Sequence, residues 1–252
     1  RFLLEKTAFL SLSDMGKALP SYEEIPIACR MEEVVQTEYK RIEDALVRVL
    51  RSDRRVAQKI LSAYLNLLTV YPDQPYDQKP ILYPDSDVPI VEPENIGGTD
   101  TLGDKEQKTL EIVKAAIQNG ERALIYTSWV RTDSQQKLKK LLTDEGYRTE
   151  ILTDKIKTTD REDWVQKKLA AGMQVLIVNP SLIETGLDLN AFTTLVFYSM
   201  GYKLFTLRQA SRRSWRINQK APAVKVYMLY YEDTMQQKCL KLMASKLAVA
   251  GL

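Results

Sequence analysis

The sequence predicts an α/β fold: a doubly wound parallel sheet with helices on both faces, preceded by an extended and helical segment. Three observations point to it. From residue 104 onward short apolar runs alternate with amphipathic stretches of helical length, as expected for strands covered on both faces by crossover helices. The apolar runs are rich in Val, Ile, Leu and Tyr and are too short to be buried helices. The chain has 252 residues, 44% apolar and 27% charged, which is enough to build a core without disulfide or metal staples.

Taken in order, residues 1–31 read as extended. Phe2-Leu3-Leu4 and Ala8-Phe9-Leu10 flank Glu5-Lys6-Thr7, residues 22–31 alternate in part, and Leu19-Pro20-Ser21 marks a break. Residues 32–70 read as two helices. Val34, Val35, Ile42, Leu46, Val49 and Leu50 recur at helical spacing, as do Val56, Ile60, Leu61, Tyr64, Leu65 and Leu68, and Ser52-Asp53 offers a cap for the second helix. Residues 71–103 hold six of the ten prolines, with Gly97, Gly98 and Gly103 behind them. That density of breakers predicts a long mobile loop or linker without regular structure.

The regular pattern then begins, and the domain is assigned to 104–252. Helices are expected over about 104–119, 132–145, 159–171, 204–216 and 233–248, and strands over 123–126, 147–152, 175–178, 194–198 and 224–231. Gly120, Gly146 and Gly172 end the first three helices. Parallel sheets of this kind bind ligands beyond the carboxyl ends of their strands, so the turns after Tyr126, Val178 and Tyr198 are where chemistry is expected.

Composition narrows that chemistry. There is no histidine, which excludes Ser-His-Asp and Cys-His nucleophiles and any histidine metal site. Cys29 and Cys239 lie far apart, without a CxxC partner, so no metal site is expected and a reducing compartment fits. No apolar run reaches 18 residues, and no membrane partner is expected. The chain opens on Arg1 rather than Met and is expected to be a piece of something longer. The net charge of +3 divides into +8 over residues 201–252 and −5 before them. A basic final fifth suits phosphate or nucleic acid, and it also suits a solvated helix face.

Three motifs stand out. In Leu207-Arg208-Gln209-Ala210-Ser211-Arg212-Arg213-Ser214-Trp215-Arg216, helical spacing puts Gln209, Arg213 and Arg216 on one face with no acid among them. Two guanidiniums and an amide converging there would suit a multiply charged oxyanion such as phosphate; a basic surface helix is the plainer reading. In Asn179-Pro180-Ser181-Leu182-Ile183-Glu184-Thr185-Gly186-Leu187-Asp188-Leu189, Gly186 permits close backbone approach, and Thr185 and Asp188 supply a hydroxyl and a carboxylate. An ordinary capped turn would look the same. Tyr126-Thr127-Ser128-Trp129 ends a strand in small hydroxyls, which cap helices or contact phosphate backbones.

Together and in this order, these segments resemble the second, C-terminal RecA-like motor domain of superfamily 2 helicases, in the Swi/Snf-like branch. The Gln-x-x-x-Arg-x-x-Arg helix is matched by Gln209, Arg213 and Arg216, and Ile217-Asn218-Gln219 is similar to the Ile-Gly-Gln that follows it in that branch. The glycine-bearing turn is matched by 185–189, and the strand, turn and arginine-bearing helix by 147–161. The family's usual His is Trp215 here, its usual acidic or glycine position is Arg212, and Asp188 stands where the branch often has Asn.

The resemblance implies ATP with Mg2+ as cofactors of a longer parent. In that parent Arg213 and Arg216 would be catalytic arginine fingers, Gln209, Gly186 and Asp188 would face ATP, and Thr127, Ser128 and Thr185 would face nucleic acid, DNA before RNA. It reads residues 1–70 as a bridge from a preceding motor domain, an N-terminal partner in cis, and 71–103 as the linker. The compartment expected is the cytoplasm, at the nucleoid in a bacterium, or the nucleus in a eukaryote.

No Gly-x4-Gly-Lys-Ser/Thr loop is present. In the nearest run, 98–103, Asp104 takes the lysine position and Lys105 comes one residue late. This chain alone is therefore expected to bind ATP and Mg2+ weakly and not to turn ATP over. Two other functions remain open: a non-catalytic nucleic-acid-binding or protein-interaction module of the same fold, and an unrelated nucleotide-binding α/β domain.

Overall fold

The computed structural model describes residues 20–128, 134–183, 187–199, 214–215, 219 and 221–249. Its centre is a six-stranded sheet built from β1 (Ser21–Cys29), β4 (Ala123–Tyr126), β5 (Thr149–Leu152), β6 (Val175–Val178), β7 (Thr194–Phe197) and β8 (Ala223–Tyr231). The strand order is β1-β8-β7-β4-β6-β5, and every pairing in it is parallel. Between the strands run α3 (Asp104–Gln118), α4 (Ser134–Asp144) and α5 (Arg161–Ala170), with α6 (Met235–Val249) at the end.

The two-residue period of the strands divides the core. Leu124, Tyr126, Leu176, Val178, Leu195 and Phe197 face one layer with Val165 of α5. Ala123, Ile125, Val175, Ile177, Val196 and Tyr198 face the other with Val113 of α3 and with Leu138 and Leu142 of α4. Alternate side chains point to opposite faces, so continuous apolar runs are what a doubly covered sheet requires. Gly120 (φ +75) and Gly146 (φ +88) end α3 and α4 in the left-handed conformation that favours glycine.

Two expectations about the first hundred residues need correction. Residues 21–29 are not a separate bridge: β1 is the edge strand of the main sheet, paired with β8 from Ser21↔Ala223 to Cys29↔Tyr231. The pairing spans some 200 residues of sequence and cannot be read from either strand alone. Residues 71–103 are also not devoid of structure. They form the short antiparallel strands β2 (Ile81–Leu82) and β3 (Pro89–Val91). Proline is tolerated here because the hairpin is two short edges. Tyr71, Ile81 and Val91 are buried with α1 (Glu33–Ser52) and α2 (Arg54–Val70) in a third core of their own. Arg41 clamps this segment, donating to the Glu38 carboxylate at 2.6 and 2.7 Å and to the Glu92 carbonyl at 2.6 Å.

Residues 1–19 and the helix expected over 204–216 lie outside the described residues, apart from Ser214 and Trp215. Among the described residues no helix is long and apolar enough to cross a membrane.

Candidate functional site

The carboxyl ends of β4, β6 and β7 are tied into one surface. The Thr127 N–H donates to Val178 O at 3.1 Å, and the Tyr198 and Ser199 N–H groups reach Tyr126 O at 3.0 and 3.4 Å. Asn179 Nδ2 donates to Ser128 O at 3.2 Å, while Asn179 Oδ1 accepts from the Ser181 N–H and hydroxyl at 2.9 and 2.7 Å. One Asn side chain thus fixes the turn after β6 and the turn after β4 together.

The two hydroxyls expected to face a ligand differ in placement. Thr127 is fully buried and its hydroxyl accepts from Gln135 Nε2 at 2.8 Å, so it anchors α4. Ser128 is half-buried, and its hydroxyl donates to Ser199 O at a long 3.3 Å. Beside it the Ser199 hydroxyl is buried without a hydrogen-bond partner among the described residues. Sequence reading passed over Ser199 and Asn179. Their position one residue past a strand end, or two, was the available signal.

The glycine-bearing turn is gripped from both sides by the first turn of α5. Arg161 is buried; its Nε donates to Ile156 O at 3.2 Å and its Nη1 to Leu182 O at 2.8 Å. Glu162 Oε2 accepts the Asp188 N–H at 2.9 Å. Asp188 is half-buried, and its Oδ1 accepts the Asn190 N–H at 3.0 Å, which orients the carboxylate. Thr185 and Gly186 lie outside the described residues, between these two anchors in sequence.

Gln209, Arg213 and Arg216 also lie outside the described residues. The two residues between the arginines do not. Ser214 is buried and its hydroxyl donates to Leu189 O at 3.0 Å. Trp215 packs on Tyr22, ring centroids 5.2 Å apart, and its indole N–H donates to Pro20 O at 2.8 Å. Gln219 Nε2 then bridges Asn190 O at 2.8 Å and Ser214 O at 3.0 Å. Ser214 and Gln219 are therefore tied to the turn that carries Asp188, and Trp215 to the entry of β1.

Beneath the strand ends lies a buried charged network. Lys105 is fully buried, with its ammonium 2.6 Å from Asp73 Oδ1, 2.9 Å from Gln236 Oε1 and over the Tyr198 and Tyr231 rings. The lysine nearest a phosphate-loop register is thus committed to an ion pair. Glu106 accepts from Lys137 at 2.6 Å, from the Tyr198 hydroxyl at 2.8 Å and from the Gly103 N–H at 3.0 Å. Burial, with the Glu106 carboxylate alongside, holds the Tyr198 phenol well above its ordinary value. Among the described residues no group of three or more Asp, Glu or Cys is arranged to hold a metal ion.

Comparison with known proteins bears on this arrangement. Residues 104–218 match the helicase conserved C-terminal domain family. The match runs from the first residue of α3 to one residue short of Gln219, and so takes in all three turns described above.

An uncharacterized ATP-dependent helicase of Mycoplasma pneumoniae is 23% identical over 155 residues, 61% of this chain and 15% of the relative. The putative ATP-dependent helicase/translocase YwqA of Bacillus subtilis is 26% identical over 143 residues, 56% of this chain and 15% of the relative. The chain thus spans under one-sixth of the length of either curated relative.

In fold, the described residues are similar to the C-terminal part of the Fun30 ATPase domain, with TM-score 0.67, 12% identity and 89% of each chain covered. They are also similar to the Sulfolobus solfataricus SWI2/SNF2 ATPase core in complex with dsDNA, with TM-score 0.66 and 19% identity, over 91% of this chain and 45% of that one. The architecture of this chain is therefore a parallel six-stranded sheet with helices, the RecA-like fold of those C-terminal ATPase structures.

Proposed function

We propose that this chain is the second motor half of an ATP-dependent, Swi/Snf-like translocase acting on nucleic acid, DNA before RNA. In this reading Arg213 and Arg216, with Gln209, Gly186 and Asp188, complete an ATP site. The phosphate-cradling lysine and the Mg2+ ligands come from a first motor domain in cis. The observation that supports it is the pair of bonds from Ser214 to Leu189 O and from Gln219 to Asn190 O, which tie the described neighbours of Arg213 and Arg216 in sequence to the turn that carries Asp188.

The chemistry follows from charge. Transfer of the γ-phosphoryl group to water spreads negative charge over its equatorial oxygens, and guanidiniums aimed there stabilise that charge as it develops. Trp215 and Ser214 would fix the segment from which both arginines project, so little reorganisation is needed as the two halves close. Ser128 and Thr185 would contact the phosphate backbone; Thr127, buried on Gln135, positions that turn.

The test is turnover of the isolated chain against the longer polypeptide encoded with it. The 252-residue chain should show no ATPase above background with or without DNA, and the polypeptide that includes a preceding Gly-x4-Gly-Lys-Ser/Thr domain should show DNA-stimulated hydrolysis. DNA-stimulated turnover by the isolated chain would overturn the proposal.

A further inference from the structure

The turn between α1 and α2 concentrates charge that the chain does not neutralise. Residues 48–59 carry Arg48, Arg51, Arg54, Arg55 and Lys59 against one acid, Asp53. All six are exposed. Asp53 is spent as the cap of α2, its Oδ1 accepting the N–H groups of Arg55 and Val56 at 2.8 and 3.1 Å. Lys59 is paired with Asp85 at 2.8 Å.

The four arginines make no ion pair among the described residues. Elsewhere on the surface acids are paired with cations: Arg41 with Glu38, Lys108 with Asp104, Lys140 with Asp100, Lys238 with Glu43. Like charges three or four apart weaken a helix, so the cluster is a cost to α1 and α2 that an external anion would remove.

The surroundings indicate the kind of anion. Val49 is buried and Leu50, Val56 and Ala57 are half-buried, so residues 48–59 themselves present no exposed apolar side chain; the exposed Leu61, Tyr83 and Val88 lie beyond them on α2 and the hairpin. Protein interfaces depend on apolar anchors at their centre, whereas nucleic-acid backbones are held mainly by charge. Guanidiniums match phosphate geometry through paired N–H groups.

Position sets the tip apart from the strand-end site. α1 leaves the carboxyl end of β1 and runs 20 residues, which at 1.5 Å per residue carries the tip about 30 Å along its axis. That length corresponds to about nine base pairs of duplex at 3.4 Å each.

We infer that the α1–α2 tip is a second nucleic-acid contact, in which Arg48, Arg51, Arg54 and Arg55 grip the phosphate backbone of a duplex independently of its sequence. The inference rests on the nucleic-acid reading proposed above.

The test is a salt series of affinities for a duplex of about 30 base pairs, using the whole chain and a variant with Arg48→Gln, Arg51→Gln, Arg54→Gln and Arg55→Gln. Each phosphate contact contributes about −0.9 to the slope of log K against log salt. The variant should bind at least about tenfold more weakly at low salt, with a slope shallower by about 3–4. If the fourfold variant does not fold, Arg51→Gln and Arg54→Gln singly should each make the slope shallower by about 0.9.

Unchanged affinity and slope in a chain that does bind duplex would overturn the tip and leave the nucleic-acid reading standing. No binding by the unaltered chain would overturn both. Equal competition by polyglutamate of matched charge would assign the tip to an acidic protein and overturn the nucleic-acid contact.

Discussion

At Lys105 a full positive charge sits out of water, held by Asp73, Gln236 and two tyrosine rings. Such pairs are sensitive to losing one partner, because the other charge is left buried and uncompensated. Lys105→Met should cost about 3–5 kcal/mol, a fall of roughly 6–20 °C in Tm for a chain of this size. The double change Asp73→Asn with Lys105→Met should recover most of it. A single variant melting within about 2 °C of the parent would contradict the burial of the pair. Glu38 gives a pH signature. Burial raises its carboxyl, but the Arg41 fork and the Glu94 amide outweigh that and leave it below its ordinary value. Its contribution is therefore complete above the unfolded value and is lost as pH falls through the folded one. Glu38→Gln should lower stability at neutral pH by about 1–3 kcal/mol and flatten the acid loss between about pH 5 and 3, as followed by denaturant titration. At this scale sequence reading located the turns that carry Ser128 and Asp188, because position along an α/β chain predicts where a strand end is. It missed Glu162 and Asn179, which act on backbone groups 26 and 51 residues away, and it met Lys105 only as a lysine out of register, because its partner lies 32 residues upstream in a proline-rich segment.

Among the elements, those with strong local periodicity were legible to within a few residues: the buried strands β4, β6 and β7, and the helices α1 to α5. Those defined by distant partners were not. β1 carries Glu23, Glu24 and Pro26 on a sheet edge and reads only as extended chain until β8 is beside it. The segment from Tyr71 to Ile96 reads as a linker because proline and glycine dominate it, yet buried aromatics and long-range bonds hold it. The Ile96 N–H donates to Pro75 O at 2.7 Å, the Tyr83 N–H to Val88 O at 2.9 Å, and the Tyr71 hydroxyl to Glu94 O at 3.0 Å. Backbone amides bonded in this way exchange only when the element opens. Hydrogen exchange should therefore show the Ile96 and Tyr83 amides protected well above random-coil rates, with Arg41→Ala releasing the stretch around Glu92 first. Coil-like exchange throughout 71–96 would restore the linker reading.

On the scale of the whole molecule, the doubly wound sheet followed from composition and alternation alone, and the motif order pointed to the helicase C-terminal domain that residues 104–218 match. Beyond legibility was the third core, in which α1, α2 and the β2–β3 hairpin pack mainly on one another. It meets the rest of the described chain through Met31 and Met235, which pack against it, and through polar joints such as the Met235 N–H donating to the Tyr39 hydroxyl at 2.9 Å and Gln236 Nε2 to Thr69 O at 2.9 Å. The central claim is that the fingers are Arg213 and Arg216, and the most direct measurement is ATP turnover in the polypeptide that joins this chain to its proposed ATP-binding half. Arg213→Ala and Arg216→Ala should each lower kcat by roughly 10³–10⁵, with ATP and duplex affinities nearly unchanged, since the charge they meet develops only in the reacting state. Helical spacing places Arg212 about 100° around from Arg213, so Arg212→Ala should retain most turnover. Equal losses at Arg212, Arg213 and Arg216, or loss of ATP affinity in step with rate, would contradict the account and make the segment a basic surface helix.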